Sequence, residues 1–267
     1  GRFTRTDTEL QPHYATPLDR AAMPQDPALQ NQIHYLQTQA HYPACRNTDV
    51  TYYGDTNAAL EAQKTDLRKA QHFIFMEYHA IEDSIAWQGI EDILAERAAA
   101  GVEVRVFYDD MRSIGFVDTA FAKKLQQRGI QCRVFNPIVP VLNVFMNNRD
   151  HRKITVIDGQ VGYTGGYNLA DEYFNLTHPY GRWKDSGVRL EGDAVRNLTL
   201  IFLEMWGTTQ KEMTAIEPYL PAIRYTAREA ATVLPYADNP LDDRRVGEDV
   251  YLNLINSAQR YVYITTP

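Results

Sequence analysis

A mixed α/β fold, with helices covering a mostly parallel sheet, is what this sequence predicts. Three observations carry the expectation. Apolar runs of strand length alternate with longer segments of helical period. The links between them are short and carry glycine, as at Gly101 and Gly129. An Asp-Gly pair, Asp158-Gly159, joins two further strand-like runs, which is a hairpin signal.

Residues 1–45 are polar and rich in Gln, His and Pro, with one short helical pattern at Pro27–Ala40. They read as a peripheral segment. From about Asp49 the pattern changes. Asp55 or Thr56 can cap a helix over Asn57–Ala70, because a short side-chain oxygen there accepts the free amides of a first turn. His72–Glu77 is an apolar strand. Ser84 can cap a second helix that ends near Gly101. Val102–Phe107 alternates as a strand, Val117–Arg128 is a third helix, and Ile130–Phe135 is a third strand.

The rhythm then breaks. Asn136–Asn148 holds two prolines and four asparagines and reads as a long loop, with an unusually apolar stretch at Pro137–Met146. Lys153–Ile157 and Gln160–Thr164 are the hairpin strands, and Val188–Leu190 is a further strand. Asp193–Gln210 spaces Leu198, Ile201, Phe202, Met205 and Trp206 as one helical face. Pro235–Arg245, with two prolines and three aspartates, has the composition of a linker.

A weak internal repeat completes the pass. Leu67-Arg68-Lys69-Ala70-Gln71 precedes the strand at His72–Met76. Ile255-Asn256-Ser257-Ala258-Gln259 precedes Arg260–Ile264 in the same way, 188 residues on. The expected organisation is a peripheral segment 1–48, an α/β domain 49–215, a linker 216–244, and the start of a second copy at 245–267.

Composition excludes several classes. With 44% hydrophobic and 23% charged residues, the 267-residue chain is that of a folded globular protein. A formal net charge of −7 disfavours nucleic acid as a partner. Pro137–Met146 is too short to cross a bilayer, and the start Gly1-Arg2-Phe3-Thr4 has no signal-peptide core. Cys45 and Cys132 form no metal motif and are expected as free thiols. Asp109-Asp110 lacks a third ligand at a useful spacing, so neither a metal nor a cofactor is expected.

The chemistry concentrates in His151-Arg152-Lys153-Ile154-Thr155-Val156-Ile157-Asp158 and in Gly165-Gly166-Tyr167-Asn168. On a strand, residues two apart share a face, so His151 and Lys153 point one way, and Arg152 and Ile154 the other. An imidazole beside a fixed ammonium suits attack on an anionic phosphodiester. Gly165 and Gly166 permit close approach of backbone amides to an oxyanion, and Asn168 adds a neutral donor.

The full spacing, H-x-K-x4-D-x6-G-G-x-N, resembles the HKD motif of the phospholipase D superfamily. Arg149–Lys153, Val156–Gly159, Asp171-Glu172-Tyr173, Trp183-Lys184-Asp185 and Arg189–Gly192 look like bacterial cardiolipin synthases. The resemblance covers about residues 49–267. One departure is Asp150, where the family commonly has Asn; its carboxylate either raises the His151 pKa or faces solvent. The resemblance implies a phosphatidyltransferase that makes cardiolipin from two phosphatidylglycerols through a phosphohistidine, with two motifs in fused α/β copies. By the match His151 is the nucleophile, Lys153 and Asn168 hold phosphate with Gly165 and Gly166, and Asp158 completes the motif in a mainly structural role. Asp185 fits a residue that orients the other motif's histidine, and Glu77 is a second supporting carboxylate at a strand end.

Only one such motif is present, since His13, His34, His41, His72, His79 and His178 all lack a Lys two residues on. The resemblance therefore implies an inactive fragment whose partner is the missing C-terminal half of the chain. Homodimerisation through the HKD face is the alternative. The implied partners are phosphatidylglycerol and an anionic membrane surface. The full-length protein is expected at the bacterial cell membrane, and this fragment in solution. The same residues would also serve a phospholipase D or a phosphodiesterase or nuclease, and an HKD-fold binding module is the non-catalytic reading.

Overall fold

The computed structural model describes residues 2–109, 119–135, 150–212, 215–229, 231–238 and 245–265. Asp110, the apolar stretch Pro137–Met146 and the start of the expected third helix lie outside them.

Strand β1 (Thr48–Tyr53) is followed by helix α3 (Thr56–Leu67), after two N-terminal helices, α1 (Arg2–Leu10) and α2 (Pro27–Thr38). Next come β2 (Phe73–Tyr78), α4 (Ile85–Ala99), β3 (Glu103–Asp109), α5 (Thr119–Gln127) and β4 (Gln131–Phe135). The hairpin is β5 (Lys153–Ile157) and β6 (Val161–Gly165), then β7 (Gly187–Gly192), α6 (Val195–Thr208) and α7 (Val246–Ser257). The seven strands form one sheet in the order β1-β7-β6-β5-β2-β3-β4.

The expected mixed sheet flanked by helices is present, but its balance of directions differs. Only β2–β3 and β3–β4 run parallel, while the other four pairings are antiparallel. The helical crossovers α4 and α5 impose parallel pairing, because a helix returns the chain to the same end of the sheet. The Asp-Gly hairpin reverses direction between β5 and β6, and the longer connection over residues 166–186 reverses it again into β7.

Two apolar layers sandwich the sheet. On one face Ile74, Met76 and Tyr78 pack against α3, α4 and α5, with Trp87 fully buried. On the other face Phe73, Phe75 and Phe107 meet α6, and the Phe75 and Phe202 rings stack at 4.6 Å. Nearly all of α6 is buried, because α1 covers its outer side and buries Leu10. The N-terminal segment, expected at the periphery, thus contributes Leu10, Tyr42 and Cys45 to the core. Both cysteines are free and buried, and burial pushes their thiols up to about 12.

Strand β1 is absent from the sequence expectation. It is the sheet's edge, and Val50 and Tyr52 are exposed, so its polar alternation carries no core signal. The α4 cap also differs. Ser84 makes no side-chain capping bond, and Asp171 instead accepts from Ala86 N at 2.8 Å and Ile85 N at 3.3 Å. Helix α7 forms where the repeat places a helix, but residues 258–265 form no strand, and Tyr261, Tyr263 and Ile264 are exposed. No helix among the described residues is long and apolar enough to cross a membrane.

Candidate active site at the start of strand β5

Strand β5 is held between β2 and β6, and its two ends do different work. At its far end Asp158 and Gly159 both adopt left-handed φ, of 52° and 64°. Gln160 N closes the turn on Ile157 O at 3.0 Å, so this is the Asp-Gly hairpin expected. The Asp158 carboxylate accepts from His72 N at 2.7 Å, Gln71 N at 2.8 Å and Phe73 N at 2.9 Å. It therefore ties the entry of β2 to the hairpin. Seven residues of largely extended chain, about 20 Å, separate it from His151.

At the near end, β5 pairs Lys153 with Tyr78 and Ile154 with Glu77. This register puts Lys153 on the α3 and α4 face and Arg152 on the α6 face, as the alternation requires. Arg152 donates to Ile201 O at 3.3 Å and Glu204 at 3.2 Å on α6. The Lys153 ammonium is buried and donates to His151 O at 2.7 Å. Burial draws its pKa down to about 8, while the Asp150 and Asp185 carboxylates pull the other way. The His151 imidazole is accessible, and its pKa lies below the ordinary value. Lost hydration is the main cause, followed by the charges of Lys153 and His79, with Asp150 opposing. At neutral pH His151 is thus biased to the neutral form, with a lone pair to offer.

The remaining predicted residues divide. Asp185 reaches this end of the sheet, where its charge acts on Lys153, and its Oδ1 accepts from Ser186 N at 2.8 Å. Gly166 makes room for it: a Cβ there would lie 2.1 Å from Asp185 Oδ1. The Gly166 amide, expected to be open to an oxyanion, donates to Ser186 O at 3.1 Å instead. Gly165 is likewise a close-approach residue, since its Cβ would sit 2.6 Å from Ser186 O. Asn168 is buried, accepts from Ala80 N at 3.0 Å and donates to Tyr173 Oη at 3.0 Å, which uses its carbonyl and one of its two N–H groups.

Glu77 does not face His151. Its register partner is Ile154, so it lies on the α6 face, fully buried and 3.9 Å from Arg152. Burial, then the neighbouring Asp150 carboxylate, holds its pKa well above the usual range, so it is suited to carry a proton toward Asp150. Asp150 itself is buried rather than facing solvent. Its amide donates to Asp109 Oδ2 at 2.7 Å, and its Oδ1 accepts from Arg152 N at 3.0 Å.

His79, passed over in the sequence for lack of a following Lys, is part of the site. It leaves the end of β2, its ring centroid lies 4.8 Å from that of His151, and Nδ1 is 2.7 Å from Asp150 O. Only the antiparallel register of β2 on β5 brings the two rings together, and no spacing in the sequence encodes that register. Beside His151 opens a cleft of about 720 Å³, lined by Asp150, His151, Arg152 and Lys153 and by apolar residues that include Leu198, Ile201 and Met205. No group of three or more His, Cys, Asp or Glu able to hold a metal occurs among the described residues.

An imidazole and an ammonium thus stand on one face at the start of a strand hydrogen-bonded into a mixed sheet. The family model described as cardiolipin synthase, phospholipase D-like domain matches residues 64–206, more than half of the chain. The chain belongs to this family. A cardiolipin synthase 2 of Staphylococcus epidermidis is 34% identical over 224 residues, 83% of this chain and 45% of that protein. An uncharacterized protein of Streptococcus mutans is 45% identical over 226 residues, 85% of this chain and 49% of its own length. The chain thus spans about half the length of the curated relatives it matches. Among solved structures, a phospholipase D family member from Salmonella typhimurium is 18% identical with a TM-score of 0.43, covering 61% of this chain and 92% of that one.

Proposed function

We propose that this chain carries one half-site of a phosphatidyltransferase that makes cardiolipin from two phosphatidylglycerols. The observation that carries the proposal is the pairing of a neutral-biased His151 with the buried ammonium of Lys153 on one face of β5. His151 attacks phosphorus, a P–N bond forms, and the P–O bond to glycerol breaks. The departing glycerol oxygen takes a proton from an acid. The terminal hydroxyl of a second phosphatidylglycerol then gives up its proton and attacks phosphorus, and the P–N bond breaks. Lys153 balances the charge on the phosphate oxygens throughout, with the second N–H of Asn168 as a neutral donor.

The acid and base of these steps belong to a second His-x-Lys motif outside residues 1–267. Helix α7 and the exposed run 258–265 are read as the opening of the copy that carries it. Residues 1–267 alone are accordingly expected to show no turnover. In the full-length protein the site works at an anionic membrane surface, with the apolar cleft beside His151 turned to the lipid.

Thin-layer analysis of the products from phosphatidylglycerol tests this reading in the full-length protein. Cardiolipin and glycerol are expected, and His151→Ala is expected to abolish both along with a ³²P-labelled phosphohistidine. Phosphatidic acid as the sole product would convert the reading to a phospholipase D, and turnover unchanged in His151→Ala would remove His151 from the chemistry. Cleavage of DNA without lipid products would point to the nuclease alternative.

A further inference from the structure

The His79 ring has two neighbours that fix its chemistry. A carbonyl oxygen only accepts, so the 2.7 Å contact to Asp150 O requires Nδ1 to carry the hydrogen. In neutral His79 the free lone pair is then on Nε2, and protonation there makes a cation 4.8 Å, centroid to centroid, from the His151 ring. Two rings so placed do not both hold an extra proton at ordinary cost.

The surroundings decide which ring takes it. On the His79 side stands the Asp150 carbonyl, whose bond from Nδ1–H strengthens when the ring is charged. On the His151 side stands the ammonium of Lys153, on the same strand face and bonded to the His151 carbonyl. Among the described residues the charged groups acting on His151 are Lys153, His79 and Asp150. Of the two rings, His151 is the one whose charge the surroundings oppose.

We propose that His79 is a positioning residue for His151: its Nδ1–H holds the backbone of Asp150, and its ring keeps the imidazole of His151 in the neutral, nucleophilic form. The proposal rests on His151 being the nucleophile. It adds a second imidazole to the half-site from within the same domain, distinct from the acid that a second motif would supply. It also explains how Asp150, a carboxylate next to the nucleophile in sequence, coexists with a neutral His151. The Asp150 side chain is directed to Arg152 N and the α6 face, while its carbonyl serves His79.

NMR titration of ¹⁵N-histidine in this chain tests it without any turnover. Around pH 8 the ring nitrogens of His79 are expected to report the Nδ1–H tautomer, and the Nε2–H tautomer would overturn the proposal with no variant needed. In His79→Gln, which keeps a donor for Asp150 O but cannot charge, the His151 midpoint is expected to rise by about half a unit to one unit. His79→Phe is expected to raise it similarly, because the charge is again lost. A His151 midpoint that stays put or falls in both variants would sink the idea. In the full-length protein the acid limb of the pH–rate profile is expected to move up with the midpoint in His79→Gln. Turnover unchanged in His151→Ala would remove the nucleophile itself and leave the titration result standing, so the two failures are told apart.

Discussion

Replacing Asp158 separates a structural role from a chemical one. The carboxylate accepts three backbone amides at 2.7–2.9 Å. Two of these, on Gln71 and His72, are at exposed residues, and one, on the buried Phe73, is shielded. A hydrogen bond to a charged group contributes about 1.5–3 kcal/mol when shielded and considerably less when water competes. Asp158 also sits at a φ of 52°, where Ala is disfavoured by about 1 kcal/mol relative to residues that tolerate the left-handed region. Asp158→Ala is therefore expected to cost about 3–4 kcal/mol, a large part of the 5–15 kcal/mol that holds a typical domain. Asp158→Asn keeps the oxygen that serves His72 and Phe73 and tolerates the turn, so about 1 kcal/mol is expected. Urea denaturation of this chain measures both. Turnover per folded molecule in the full-length protein is expected to survive Asp158→Asn, since the residue stands about 20 Å along the strand from His151. A loss below about 1 kcal/mol in Asp158→Ala would refute the tie between hairpin and β2. Turnover abolished in a stably folded Asp158→Asn would refute its separation from the chemistry.

Glu77 tests burial against pH. Its folded pKa lies above its unfolded one, so folding takes up a proton, and stability falls as pH climbs from about 4.5 toward the folded value. Glu77→Gln is expected to gain on the wild type across that window by up to about 1.4 kcal/mol per pH unit, and a pH-independent difference in urea midpoints would contradict this. Inorganic phosphate binding, followed by NMR shifts at His151, is expected to weaken as pH rises through about 8, where Lys153 loses its proton; binding that is level from pH 7 to 9 would exclude Lys153 as the holding charge. Asp171→Ala leaves two amides of α4 uncapped and is expected to cost about 1 kcal/mol, whereas Ser84→Ala is expected to cost little. Gly166→Ala must displace Asp185 or β7, and is expected to lower the thermal midpoint and shift the Lys153 titration together.

What was legible in the sequence follows the strength of each local pattern. The runs at His72–Glu77 and Lys153–Ile157 and the Asp158-Gly159 turn announce themselves because burial and turn chemistry are local. The shared face of His151 and Lys153 is equally local, being a matter of alternation. Strand β1 was hidden because an edge strand with Val50 and Tyr52 exposed has no apolar face to read. The cap of α4 is not local, because Ser84 yields to Asp171, which is remote in sequence. Alternation along Phe73–Tyr78 already groups Glu77 with Phe73 and Phe75, but only the pairing with β5 shows that this face is opposite to the reactive one. His79 was invisible for the same reason, since its partner lies 72 positions away.

The alternation of β5 has a consequence for how this stretch tolerates insertions and deletions. With β5 pinned by its pairing to β2 and β6, one residue added or removed between His151 and Lys153 would leave the ammonium in place but turn the His151 imidazole to the opposite face, toward α6. Two residues would restore the faces but lift His151 a full pleat away from His79. The short segment between Asp150 and Lys153 is thus constrained in number more tightly than in kind, and it obeys a rule of parity rather than one of composition.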